Sequence, residues 1–192
     1  MNINPIKITE SKANDKLIFK KSLFDKLSDL MVEIPIIVFI PFLCGFALFK
    51  KISDGEPFAG ILFLFILCLS ISGLIIYSIS TLNSLERITG KSRGQNSKAI
   101  KDIAENNNWK IYSNNQQMTI ISFSWKETGT DWGKQMTILY DKEDILVNCT
   151  SYGLFSTPSP FHWFANRKKV NKLKSEFNKR IKNALQQILS LI

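Results

Sequence analysis

FAGILFLFILCLSISGLIIYSISTL, from Phe58 to Leu82, is the stretch on which the fold turns. It holds 25 residues and no charge. As a helix it would run ~37 Å, more than the roughly 30 Å hydrocarbon core of a bilayer. A second uncharged run, IPIIVFIPFLCGFALF, covers Ile34 to Phe49, and only Lys50 to Pro57 lies between the two. Two apolar runs joined by a short polar loop predict a transmembrane hairpin, with helices at 33–49 and 58–82 and an external loop at 50–57.

The flanking charges give an orientation. Lys7, Lys12, Lys16, Lys20, Lys21 and Lys26 precede the first run; Arg87, Lys91, Arg93, Lys98 and Lys101 follow the second. The loop has Lys50 and Lys51, offset by Asp54 and Glu56. Basic flanks stay in the cytoplasm, so both termini are expected there. A cleavable signal has a short basic start, whereas here about thirty polar and charged residues come before the first run, so an uncleaved span is expected. Leu43 occupies the position before Cys44 where a lipobox needs a small residue. The abundance of Lys, Asn and Ile is a compositional hint of a bacterium, and the expected location is a bacterial cytoplasmic membrane.

Before the first run, Leu23, Phe24, Leu27, Leu30 and Met31 recur at three-to-four spacing among Lys20, Lys21, Asp25, Lys26 and Asp29. This predicts an amphipathic helix within a cytoplasmic segment, 1–32. Pro41 deprives the Ile37 carbonyl of its helical donor, and packing against the second helix is the expected remedy. In that helix Ser70, Gly73, Tyr77 and Ser80 form a small and polar stripe, read as the surface facing the first helix, with self-association as the alternative. Glu33 sits at the membrane boundary and is read as interfacial rather than as an ion site.

The 192 residues leave room for one soluble domain of about 100 residues beside the hairpin. After a connector at 83–96, a cytoplasmic α+β domain is expected at 97–192: a short helix from Ser97 to Asn107, three or four antiparallel strands, and a long amphipathic helix. The strands are read at Met118–Trp125, Lys134–Asp141 and Asp144–Tyr152, with a possible fourth at Trp109–Tyr112. Lys142 and Glu143 take the tight turn, flanked by Asp141 and Asp144 as turn residues. Alternatively, Ile6 to Ile8 and Leu17 to Phe19 are strands of the same sheet, and the hairpin interrupts one domain.

From Asn166 onward, Val170, Leu173, Phe177, Ile181, Ala184, Leu185 and Ile188 share a face that should cover the sheet. The other face carries Arg167, Lys168, Lys169, Lys172, Lys174, Lys179, Arg180 and Lys182 against one acid, Glu176. With a net charge of +9 overall, such a helix suits anionic lipid, a protein partner or a nucleic acid. Tethering beside a membrane favours lipid over nucleic acid. Phe161, His162, Trp163 and Phe164 precede the helix as an aromatic anchor, so Arg167, Lys168, Lys169, Lys172, Lys174 and Trp163 are the expected lipid or partner contacts. The four tryptophans all lie in this domain; Trp132, among Gly129, Asp131 and Gly133, is the one expected at an exposed recognition loop.

Catalytic signatures are missing. No Gly-Lys-Ser/Thr phosphate loop, Gly-x-Gly-x-x-Gly, His-Glu-x-x-His or Gly-x-Ser-x-Gly occurs. His162 has no acid near it in sequence to orient a triad, and the pairs Asp102 with Glu105 and Glu127 with Asp131 specify no reaction. Three cysteines and one histidine do not supply a closed zinc site. The expectation is a two-pass membrane protein that is not an enzyme, has no cofactor or metal, and acts as an anchored binding or regulatory module. An immunity-type or assembly protein that engages another membrane protein, or a second copy, through the hairpin is the rival.

Overall fold

The computed structural model describes residues 5–20, 34–124, 133–153 and 158–189, with the backbone alone at 36, 160 and 184–189. The Thr-, Ser- and Ile-rich alternation after residue 118 folds into antiparallel strands, because period-two patterning gives each strand one face to bury. Five strands form one sheet: β1 Glu86–Thr89, β2 Lys110–Asn114, β3 Met118–Phe123, β4 Lys134–Asp141 and β5 Asp144–Ser151. Their spatial order is β1-β5-β4-β3-β2, every pair antiparallel. The turn between β4 and β5 is the expected Lys142-Glu143, with Lys142 in the left-handed region at φ +56°. The stretch expected as a connector at 83–96 carries β1. Its four residues are too short for a periodic signal, and their pairing with β5 places them in the sheet.

Among the described residues six helical segments accompany the sheet: α1 Ile8–Ala13, a π-helical segment Pro35–Phe39, α2 Ile40–Ser53, α3 Ala59–Thr81, α4 Arg93–Asn106 and α5 Trp163–Leu189, the last preceded by a 3-10 turn at Pro160–His162. The chain divides into two compact units, Met1–Lys20 with Leu82–Ile192, and Lys21–Thr81.

In the first unit, one face of the sheet is covered by α4 and α5. Ile100, Ile103, Leu173 and Phe177 are fully buried against Ile121, Met136, Ile138 and Ile145. Trp109 meets Phe123 edge to face at 5.4 Å. Buried Asn96 fixes the start of α4: its Oδ1 accepts the Lys91 N–H, and its Nδ2 donates to the carbonyls of Lys91 and Glu143. Gly90 makes room for it, since a Cβ there would lie 2.5 Å from Asn96 Oδ1.

Residues 5–20 cover part of the opposite face. Leu17 is buried with Leu85, Leu139 and Leu146, and Ile6, Phe19 and Met118 pack around them. The segment pairs through isolated bridges, Ile6 with Phe19 and Lys16 with Ser84, rather than as strands. The Leu17 N–H donates to the Asn83 carbonyl at 2.7 Å and the Leu85 N–H to the Asp15 carbonyl at 2.8 Å. The domain is therefore built from chain on both sides of the apolar runs.

In the second unit, α2 and α3 pack together, and α3 also meets the π segment. The helix widens to π in the turn before Pro41, the form in which a helix absorbs an interrupted hydrogen-bond register. Among the described residues, α3 is the one helix long and apolar enough to cross a membrane; the first run is divided between the π segment and α2, which continues to Ser53. Many of the large apolar side chains point outward, Phe63 and Phe49 each 70% exposed.

Candidate functional site

The long helix α5 sorts its residues by angle. Asn166, Val170, Leu173 and Phe177 point into the domain, while Phe164, Lys168, Asn171, Ser175, Lys179 and Lys182 form an exposed line at three-to-four spacing. At its start the 3-10 turn presents Phe161, 60% exposed, beside Phe164 at 72%. Trp163 is half-buried and stands edge-on to Phe164, with ring centroids 6.1 Å apart.

The bases of α5 divide into two groups. Lys174 pairs with Glu86 of β1, and Arg180 pairs with Asp102 of α4 at 3.3 Å and donates to its carbonyl. Lys169 Nζ lies 4.7 Å from the Phe123 ring centre and 5.5 Å from that of Trp109. Lys172 Nζ lies 5.6 Å from the Trp109 ring and 3.9 Å from Glu176. These four are engaged with their own domain, because strand and helix neighbours bring aromatic faces and acids beyond the helix's own Glu176. Among the described residues, Arg167, Lys168, Lys179 and Lys182 make no ion pair. Of the expected contact residues, Arg167 and Lys168 face solvent beside the exposed aromatics, Lys169 and Lys174 turn toward the domain, and Lys172 stays exposed while reaching over the Trp109 ring.

The expected helix-packing stripe is placed differently. Ser70, Gly73, Tyr77 and Ser80 are exposed. The half-buried or buried line of α3 is Ile61, Phe65, Cys68, Ser72, Ile75 and Ile79, on the other side of the helix. Close approach comes from Gly45 of α2, where a Cβ would sit 3.1 Å from the Phe65 ring. The stripe's two serine hydroxyls are satisfied within the helix, Ser70 donating to the Ile66 carbonyl and Ser80 to that of Tyr77. Such internal bonding frees Ser from needing a partner helix. Beside Gly45, an open apolar groove of about 530 Å³ is lined by Ile37, Val38, Pro41, Phe42, Phe46 and Leu69.

A charged cluster missed by sequence reasoning ties residues 5–20 to the sheet. Arg87 of β1 reaches Asp141 and Asp144 at 2.9 and 3.1 Å and Asp15 at 2.9 Å. Hydrogen bonds to Asp141, Asp144 and Asp15 hold its guanidinium charged well above its ordinary range. The two turn aspartates thus also anchor an arginine. Farther along the same face the sheet is polar and buried at Gln135, Thr137, Asn148 and Thr150. Asn148 Nδ2 donates to the carbonyls of Leu82 and Ser84, fixing the chain just past α3. Next to it the Tyr152 phenol, pushed up to about 12 chiefly by burial and then by Cys149, donates to Gln135 Oε1 at 3.4 Å.

Trp132, Glu127 and Asp131, the helix expected around 23–31, and Glu33 lie outside the described residues. No family model, curated protein or solved structure matches the chain.

Proposed function

We propose that this chain is a two-pass integral protein of a bacterial cytoplasmic membrane that acts by binding, as an anchored regulator or adaptor whose α+β domain rests on anionic lipid. The observation that carries the reading is the divided domain. Residues 5–20 and 82 onward build one folded unit, so chain that leaves at one edge of the apolar segment must return on the same side of any bilayer. An even number of crossings follows, and with α3 as one of them, the π segment and α2 supply the other. The bases flanking both runs support a cytoplasmic side for the domain.

Lipid is the favoured partner because Phe161, Phe164, Arg167 and Lys168 combine exposed aromatic surface with bases that make no ion pair among the described residues. Each base near an anionic surface gains ~1 kcal/mol, and aromatic rings insert at headgroup depth. A cysteine in place of Asn171, on the exposed line of α5, reports this contact without removing a charge. With full-length protein in vesicles at low salt, it is expected to react with an impermeant maleimide severalfold more slowly in anionic than in neutral lipid. Protection should vanish at high salt and in the Phe164→Ser, Lys168→Gln variant. Equal reactivity in both lipids at every salt overturns lipid contact. Cysteines at Asp54 and Lys12 labelled from the same side overturn the two-pass arrangement.

The exposed stripe of α3 favours a second reading, in which the helices bind another membrane protein. Gly73→Leu would then abolish function and leave protection at Asn171 unchanged.

A further inference from the structure

Two of the three cysteines lie in the apolar helices, and the fold brings them together: Cys44 Sγ of α2 stands 3.7 Å from Cys68 Sγ of α3. The helices are close here because Gly45 follows Cys44, and any side chain at 45 would press on Phe65. Both thiols are half-buried. A disulfide needs its sulfurs roughly 2.05 Å apart, so oxidation would close the remaining gap between the two thiols. We propose that Cys44 and Cys68 are a redox couple: a dithiol that a lipid-soluble quinone oxidises to a disulfide joining the two helices.

The step balances. Two S–H bonds break and one S–S bond forms; the two protons and two electrons pass to the quinone, which leaves as the quinol. Neutral thiols give a neutral disulfide, so an apolar setting does not oppose the product. A monovalent soft metal ion held by two thiolates would instead leave a net negative charge among Phe and Leu side chains. The class of oxidant follows from depth and rests on the membrane reading. At ~1.5 Å per residue, Cys44 lies roughly 15 Å beyond Ile34 and roughly 9 Å before Lys50, and Cys68 lies roughly 15 Å beyond Phe58 and roughly 20 Å before Thr81, so both thiols stand inside apolar chain on either side, where a lipid-soluble quinone partitions and a polar disulfide such as oxidised glutathione does not.

The test uses full-length protein in vesicles treated with tetramethylbenzoquinone, whose full substitution prevents it from alkylating thiols, or with oxidised glutathione. Remaining thiols are then capped, the protein is cleaved at lysines without reduction, and the peptides are weighed. Cleavage at Lys50 and Lys51 separates the two cysteines. The quinone is expected to remove two of the three thiols and to yield one peptide pair linked through Cys44 and Cys68, absent in Cys68→Ser. Capped Cys44 and Cys68 with no linked pair, or linkage through Cys149, overturns the couple. If labelling at Asp54 and Lys12 still reports two crossings, the membrane reading survives that failure. Linkage by oxidised glutathione as readily as by the quinone overturns the lipid-soluble oxidant and the burial in a bilayer together.

Discussion

The two faces of the sheet are covered in different ways. Toward α4 and α5 the cover comes from neighbouring chain, and one continuous apolar cluster runs from Ile88 to Phe177. Toward residues 5–20 the cover comes from beyond the apolar helices, the apolar cluster centres on Leu17, Leu85, Leu139 and Leu146, and farther along buried Ile120 sits among polar Gln135, Thr137, Asn148 and Thr150. The first face holds the domain together by burial. The second is a joint: it is where the chain on either side of the helices is recognised as one domain.

Truncating the two faces should separate them most widely. All four tryptophans lie in the sheet domain, so tryptophan emission during guanidinium unfolding of the full chain in detergent reports on that domain alone. Leu173→Ala is expected to cost about 3–4 kcal/mol and Leu17→Ala about 2, within the range for buried leucines. Equal costs would break the contrast.

The polar end of the second face gives a pH-dependent difference. The Tyr152 phenol holds its proton more tightly folded than unfolded, with about 12 against an ordinary value of 10. Its contribution is fully present below pH 10 and is lost as pH rises toward 12, a fall of about 2–3 kcal/mol. Tyr152→Phe should flatten that part of the pH profile relative to the parent, as read from unfolding midpoints between pH 9 and 12. An unchanged slope would mean the phenol is not what titrates.

Arg87→Ala should have the smallest effect. Its ion pairs are partly exposed, so the loss is about 1 kcal/mol and shrinks in high salt. Arg87→Lys should recover little of it, because one ammonium does not fork across three carboxylates. A loss as large as that of Leu17→Ala would make the joint electrostatic rather than apolar.

Much of the first face was legible in the sequence. β3, β4 and β5 alternate, the Lys142-Glu143 turn is marked by its flanking aspartates, and Val170, Leu173 and Phe177 trace the inner line of α5. The second face was harder to read, because residues 5–20 pair through single bridges and β1 has only four residues, neither long enough to show a period. Counting charge on α5 alone overstated its free bases, since Glu86 and Asp102 lie far away in the chain. The stripe of α3 was assigned by the rule that small residues face a neighbour; the close approach is instead supplied from the other helix by Gly45. Of the candidate contact residues, the exposed pair Arg167 and Lys168 emerged only once the inward bases were placed.

On the two-pass reading, the pairing of Lys16 with Ser84 and of Leu17 with Asn83 would also act as a proofreading step on membrane insertion. During synthesis residues 5–20 emerge before the apolar helices, and the sheet they cover emerges after them. On the two-pass reading, a chain that crossed only once would strand Leu17 on the far side and leave Leu139 and Leu146 bare. Correct topology and a closed domain would then be a single event, and a misinserted copy would expose an apolar surface by which cytoplasmic proteases distinguish it from the finished protein.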